Sequence, residues 1–423
     1  MQVSPLREGG LVAEPSKNAE RPVRPGASNR GTNQVGVRLY NERLVLSIIR
    51  RHRELPKADI ARLTGLSPQT ISIIMNQLSA DGLLRRGSPT RGRVGQPSVP
   101  YSLDPGGAYF VGLKIGRRAS DVVLMDFRGQ VLNRIHEPHP YSSPESTLAL
   151  IRRGTTELVE GLSAAQHRRV AGFGIASPFE LWNWEPQFGA PPEVLEAWRR
   201  TDIVDEARRI CPWPIYFHND GTSACAAELV LGNATDSADF LYIFIGSFIG
   251  GGVVLDRHLY PGRSLYSGAI GPMPIPDPQR PGRYQQVLRT ASIYVLGEAL
   301  RAAGQDPAIL AINPDDWGDL GKPLDDWIEA AGRALALTII SAVSIIDFET
   351  IVIDGAFPLD VRRRLVEVAR AEIELFDRQG VSPFSVVEGS IGSAAREIGG
   401  ATLPLLANFT QDREVLFKDD RRQ

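Results

Sequence analysis

The chain has 423 residues, 43% of them hydrophobic and 23% charged, with 47 Lys and Arg against 49 Asp and Glu. That length accommodates two or three domains with cores of their own, and the composition excludes a collagenous, low-complexity or disulfide-rich protein. No apolar run approaches the roughly 20 residues that span a bilayer, no secretory leader pattern opens the chain, and Cys211 and Cys225 form no zinc pattern, so a reducing cytoplasm without a membrane partner is expected.

Residues 1–36 are rich in Pro, Gly, Arg, Asn and Glu without apolar periodicity, and disorder is expected there. Leu44, Val45, Ile48 and Ile49 then make an apolar stripe ending in Arg50-Arg51-His52-Arg53, the pattern of a first helix. Ala58, Ile60, Ala61 and Leu63 give a short second helix its packing face, and Gly65 supplies backbone freedom for a sharp turn. A third helix starts at once. Ser67 suits its N-cap, Pro68 its first position, and Ile71, Ile74, Met75 and Leu78 recur at helical spacing.

Gln69, Thr70, Ser72, Ile73 and Asn76 fall on the other faces. Small and amide side chains, with Ser67 at the cap, enter a major groove and bond base edges or phosphates, so Ser67, Gln69, Thr70, Ser72 and Asn76 are candidate DNA contacts. A plain helical hairpin would share the pattern, but the flanks favour a reading head. Leu83 and Leu84 open a strand, RGSPTRGRVGQPS makes a tip, and VPYSLD returns, which predicts a wing carrying Arg91 and Arg93 to phosphates or the minor groove. From Arg38 to Leu103, eleven Lys or Arg stand against four Asp or Glu, a net of +7. Residues 1–37 add +2 and the whole chain is −2, leaving −11 on residues 104–423, so positive charge is concentrated where phosphates would be met.

Leu103-Asp104-Pro105-Gly106-Gly107 marks a boundary between a winged helix-turn-helix over 37–104 and a domain over 105–423. AYFVGLKIGRRASDVVLMDFRGQVL reads as an antiparallel meander, followed by helical patterns around 145–162 and a strand over 170–176. An aromatic loop with Phe179, Trp182 and Trp184, a helix near 193–209 and a strand over 214–217 lead to His218-Asn219-Asp220, from which a small-residue helix leaves. A second meander spans 241–275, helices dominate 291–347, and a strand at 350–354, a helix from Leu359, a strand near 384–388 and a small-residue helix close the chain. Two meanders, each extended by helices and strands, predict two related lobes around a cleft, the second over about 229–384.

In this order the parts resemble the ROK (repressor, open reading frame, kinase) family in its transcriptional-regulator branch, over about Asn41 to Leu405. The resemblance rests on IARLTGLSPQTIS, GRVGQPS, VGLKIGRRASDVVLMDFRGQVL, HNDGTSACAAE and FIGSFIGGGVVLDRHLYPG. It implies an α/β protein: a winged helix-turn-helix followed by a two-lobed sugar-kinase- and actin-like (RNase H-like) fold. In the family's kinases, glycine turns cradle ATP phosphates and an aspartate helps hold magnesium, whereas here that aspartate is Lys114 and the usual Thr is Arg118. The second turn carries Phe248, and the third reads Asp354-Gly355-Ala356 instead of two glycines. Asn219-Asp220 matches the pair that binds sugar hydroxyls and supplies the catalytic base; the lesser alternative is a capped turn at a strand end. The Gly-Glu-x-Gly-His segment appears as Gly268-Ala269-Ile270-Gly271-Pro272, and the cysteine-rich zinc loop is absent.

The resemblance therefore implies no structural zinc or other metal, no cofactor and no catalytic residue. The expected protein is a DNA-binding regulator, a repressor of carbohydrate-related genes, with an effector of sugar type at Asn219 and Asp220. Its expected partners are a palindromic operator in double-stranded DNA and further copies of itself, as a homodimer or dimer of dimers. The alternative is an active ATP-dependent carbohydrate kinase with a fused DNA-binding domain.

Overall fold

The computed structural model describes residues 34–89, 98–183, 189–412 and 416. Arg91, Arg93, Trp184 and the expected disorder of residues 1–33 lie outside the described residues. Gln34, Val35 and Gly36, expected to be disordered, instead open the first helix, Gln34–His52. The 19-residue helix buries Val45, Leu46 and Ile49, and that tertiary packing carries its first turn, Gln34 to Val37, whose two valines are exposed.

Helices Lys57–Thr64 and Pro68–Ala80 follow, joined through Gly65 in the left-handed conformation at φ 69°. Ser67 caps the third helix by accepting from the Thr70 amide, and Ile71, Ile74, Met75 and Leu78 are its buried residues, as the spacing predicted. The wing strands are Leu84–Arg86 and Pro100–Leu103. A third strand, Glu54–Pro56, pairs antiparallel with Pro100–Leu103 on its other edge. Three residues, one of them proline, carry no alternating pattern that the sequence could betray.

The remainder holds two five-stranded sheets of the same topology. In the first, strands Val131–Pro138, Ala119–Asp126, Tyr109–Lys114, Val170–Ala176 and Ile215–His218 lie side by side in that order. In the second the order is His258–Tyr260, Ile249–Leu255, Phe240–Ile245, Thr350–Gly355 and Ser385–Glu388. Each is an antiparallel meander with two parallel strands added beside its first strand. The second sheet includes Ser385–Glu388, beyond the expected lobe end at 384.

Two expected helices differ in extent. The pattern near 193–209 forms Pro192–Arg200 and Ile203–Ile210, because Asp202 between them caps the second through the Val204 and Asp205 amides. The pattern near 145–162 is helical only over Pro144–Thr156, and a separate turn of helix, Ala164–His167, follows beyond it.

Helices Asp220–Leu231 and Ala395–Phe409 cross between the sheets. A Cβ on Gly399 would collide with the Ser223 carbonyl, so the helices meet backbone to backbone. Ala395–Phe409 lies on the first sheet, and Asp220–Leu231 packs on strand Ile249–Leu255 of the second. The winged unit is not tethered at a distance. Val45, Ile49, Ile71, Met75 and Tyr101 share one buried cluster with Phe110, Met125 and Phe127 of the first sheet and with Ala401 and Leu405.

Candidate functional site

The exposed face of Pro68–Ala80 carries Gln69, Ile73 and Asn76, which fall at i, i+4 and i+7 and so line one stripe. Thr70 and Ser72 are half-buried beside them, and Ser67 is exposed. Ser67 Oγ lies 2.8 Å from Thr70 Oγ1 and accepts from the Thr70 amide at 3.1 Å, so this pair first serves the helix start. Lys57 Nζ donates to Asn76 Oδ1 at 3.3 Å, which brings a cation from the preceding helix onto the reading face. Sequence reasoning passed over Lys57, since only the packing of the two helices places it there. Ile73 is 65% exposed and suits apolar contact with a thymine methyl.

The second group of predicted residues lies at the strand ends between the lobes. Asn219 caps Asp220–Leu231, its Oδ1 accepting from the Gly221 amide at 3.0 Å. Asp220 extends toward the other crossed helix, where Arg396 Nη1 stands 3.3 Å from its Oδ2. Arg396 also lies over the Phe244 ring, 5.0 Å from its centre. From the first lobe's turn, Arg117 stacks on Phe248 of the second lobe at 4.0 Å. Burial pushes the Arg117 guanidinium down to about 9, against the pull of Asp220. Arg117 and Arg396 are functional candidates the sequence did not reveal, because each meets the cleft only through long-range packing.

Lys114, at the family's magnesium position, is consumed by its own sheet. Cross-strand register puts Lys114 opposite Asp121 and Asp121 opposite His136. Lys114 Nζ reaches Asp121 Oδ2 at 2.6 Å, and His136 Nδ1 reaches Asp121 Oδ1 at 2.6 Å. Burial raises the Asp121 carboxyl, but Lys114 and His136 outweigh it and hold the group below its ordinary value. Buried Glu397, paired with Arg134, is pushed up by burial and by Asp121. An ammonium already paired to the neighbouring carboxylate offers magnesium no ligand, so these residues do not fit the metal that a kinase of this fold requires. Arg118 turns outward to the Pro140 carbonyl at 3.0 Å.

In the second turn, the Gly246 amide donates to the Phe248 carbonyl and the Ile249 amide to Ser292 Oγ, which commits two N–H groups within the protein. Asp354 of the third turn is fully buried. It accepts from Tyr242 Oη at 2.9 Å and the Gly392 amide at 3.0 Å, and stands 3.2 Å from Arg362 Nε. No group of three or more His, Cys, Asp or Glu among the described residues is placed to hold a metal.

The aromatic loop divides between site and core. Phe179 stands 5.8 Å from Phe217 and 4.9 Å from Tyr266 of the second lobe, and Tyr266 Oη donates to Glu180 Oε1 at 3.4 Å. Trp182, half-buried, packs against the first lobe's core. Where the family's sugar-binding Glu and His would fall stand Ala269 and Pro272, both exposed; between them Ile270 is buried, and Gly268, at φ 77°, presses its backbone on Gly252.

The ROK family model matches residues 110–404, which is more than half of the chain. The chain belongs to the ROK family. A MarR family model matches residues 40–94 of the winged unit. An uncharacterized protein of Sinorhizobium fredii, y4fQ, is 24% identical over 375 residues, covering 87% of this chain and 91% of its own length. The xylose repressor of Bacillus subtilis is 24% identical over 243 residues, covering 57% of this chain and 62% of its own length. Among solved structures, a ROK family transcriptional regulator described as a homologue of the Escherichia coli MLC protein aligns with a TM-score of 0.61 at 21% identity. It covers 88% of this chain and 97% of its own. A ROK glucokinase of Streptomyces griseus aligns over 70% of this chain and 99% of its own, with a TM-score of 0.52 at 18% identity. At these identities both likenesses concern the fold.

Proposed function

We propose that this ROK protein is a DNA-binding transcriptional regulator, a repressor of carbohydrate-related genes, whose kinase-like domain binds a sugar-type effector without transferring phosphate. The observation that carries the reading is the pairing of Lys114 with Asp121 at the magnesium position, in a chain whose head presents Gln69, Ile73 and Asn76 on one helix face. Phosphoryl transfer depends almost wholly on positioned metal and preorganised charge, so without them Asp220 has little chemistry to complete. Asn219 and Asp220 serve instead as hydroxyl partners, since an amide and a carboxylate each take two hydroxyl contacts. Ser67, Thr70 and Ser72 contribute at the groove edge, and Arg91 and Arg93 of the wing meet phosphates or the minor groove. Two-fold dimers, or dimers of dimers, would read a palindrome.

The test uses the full chain, because the head shares a core with the first lobe and cannot be cut away cleanly. A binding site is selected from random duplexes, and gel shifts compare the wild type with the Gln69→Ala, Asn76→Ala double variant. The variant is expected to lose about 1–3 kcal/mol of discrimination at its contacted base pairs. Coupled ADP release over hexoses and amino sugars is expected to stay at background. Unchanged base preference would overturn the regulator reading, and turnover abolished by Asp220→Asn would establish the kinase instead.

A further inference from the structure

One helix touches both the effector end of the cleft and the DNA-reading head. Ala395–Phe409 begins with Arg396 in its first turn, where a cation opposes the helix dipole and is held by the Asp220 carboxylate and the Phe244 ring. Fifteen residues at 1.5 Å each put its far end about 22 Å away. There the Phe409 ring stands edge-on to Phe127 at 4.9 Å and to Phe110 at 5.8 Å. Phe127 in turn carries Arg50 of the head's first helix on its ring at 5.0 Å, and its carbonyl accepts from Arg50 Nη1 at 2.6 Å. Just beyond the helix, the Gln411 amide donates to Ser47 Oγ at 3.2 Å, and its side chain reaches Tyr40 Oη.

Between these ends no soft layer intervenes. A Cβ on Gly112 would collide with the Ala401 backbone, and one on Gly174 with the Gly400 carbonyl. That carbonyl is free to abut the sheet because Pro404 lacks the N–H that would have bonded it. Asn408 Nδ2 ties the last turn to Tyr216 Oη of the sheet at 3.0 Å. Backbone packed on backbone transmits a displacement that flexible side chains would absorb.

We propose that Ala395–Phe409 is the element that couples the cleft to the head. Arg396 is the positioning residue that senses whether the Asp220 carboxylate is engaged, and the Phe409–Gln411 end holds the head against the first lobe. The proposal rests on the regulator reading for its ligand. A ligand hydroxyl that takes Asp220 releases Arg396 from the carboxylate, which unties the start of this helix from Asp220–Leu231 and, through the helix, weakens the docking of Gln34–His52.

Contiguity becomes coupling only if a change at one end is felt at the other. Hydrogen exchange by mass spectrometry on the full chain, with neither DNA nor sugar present, reads this directly. Asp220→Asn and Arg396→Met are each expected to speed exchange across residues 38–52 about fivefold or more, the lower end of ordinary allosteric coupling. The double variant is expected to go no further than either single one, since both remove the same contact. Phe248→Leu loosens the cleft through Arg117 instead and is expected to leave residues 38–52 at the wild-type rate. Faster exchange confined to residues 395–400, or an equal response to Phe248→Leu, would overturn the proposal. If Arg396→Met fails to fold, the nearly isosteric Asp220→Asn decides alone. Failure here would leave selected-site DNA binding intact, whereas failure of the regulator reading would appear only in the gel shifts.

Discussion

Asp354 shows how a nucleotide-facing position becomes a structural one. Its carboxylate joins three segments: Tyr242 on the neighbouring strand, the Gly392 amide in the turn after Ser385–Glu388, and Arg362 on helix Leu359–Ile373. Arg362 extends the link by donating to the Gly389 carbonyl at 2.7 Å. Both members of the ion pair are buried, at 4% and 0% exposure. Removing one partner of such a pair leaves an uncompensated buried charge, so Arg362→Met is expected to cost about 3–5 kcal/mol. Urea unfolding of the full chain measures it, and a loss below about 1 kcal/mol, the size of an exposed pair, would contradict this role. The sequence announced the departure at Asp354-Gly355-Ala356 but not its use. The partners of Asp354 stand 112, 38 and 8 residues away, and no local pattern links them. Lys114 is the milder case, with its partner seven residues on, across one hairpin.

At the scale of elements, what the sequence made legible is what local chemistry decides. The recognition helix was readable from its cap, its Pro68 and its apolar spacing, because those features act within one or two turns. Ser67→Ala removes the oxygen that accepts the Thr70 amide and the partner of the Thr70 hydroxyl. The expected loss is about 1 kcal/mol in the opening free energy of helix Pro68–Ala80, read by hydrogen exchange of its first turn. Exchange equal to wild type would mean that the packing of Ile71 and Ile74 fixes the helix start without the cap. Strand Glu54–Pro56 and the division at Asp202 were missed for opposite reasons. The strand exists only because Pro100–Leu103 offers it an edge, and the division reflects a capping aspartate inside an otherwise continuous amphipathic pattern.

At the scale of the molecule, the repeated strand order was foreshadowed by the two meanders, since alternation and glycine turns are written into the chain. The seating of the head on the first lobe was not. Phe110, Met125 and Phe127 read as strand core, and only the folded chain shows that part of this core belongs to the DNA-binding unit. The head shares a core with the first lobe, so in the proposed coupling an effector reaches it through helix Ala395–Phe409 and its Arg396–Asp220 contact. Only a ligand that binds one state of that contact better than the other shifts the head. The most direct measurement is titration of the selected operator with the wild type and with Asp220→Ala, each with and without the sugars and polyols that stabilise the wild type in a thermal-shift screen. At least one such ligand is expected to shift wild-type operator affinity roughly 5- to 150-fold and to leave the Asp220→Ala variant unmoved. A ligand that shifts both proteins equally, or one that binds the wild type without moving its operator affinity, would contradict the account.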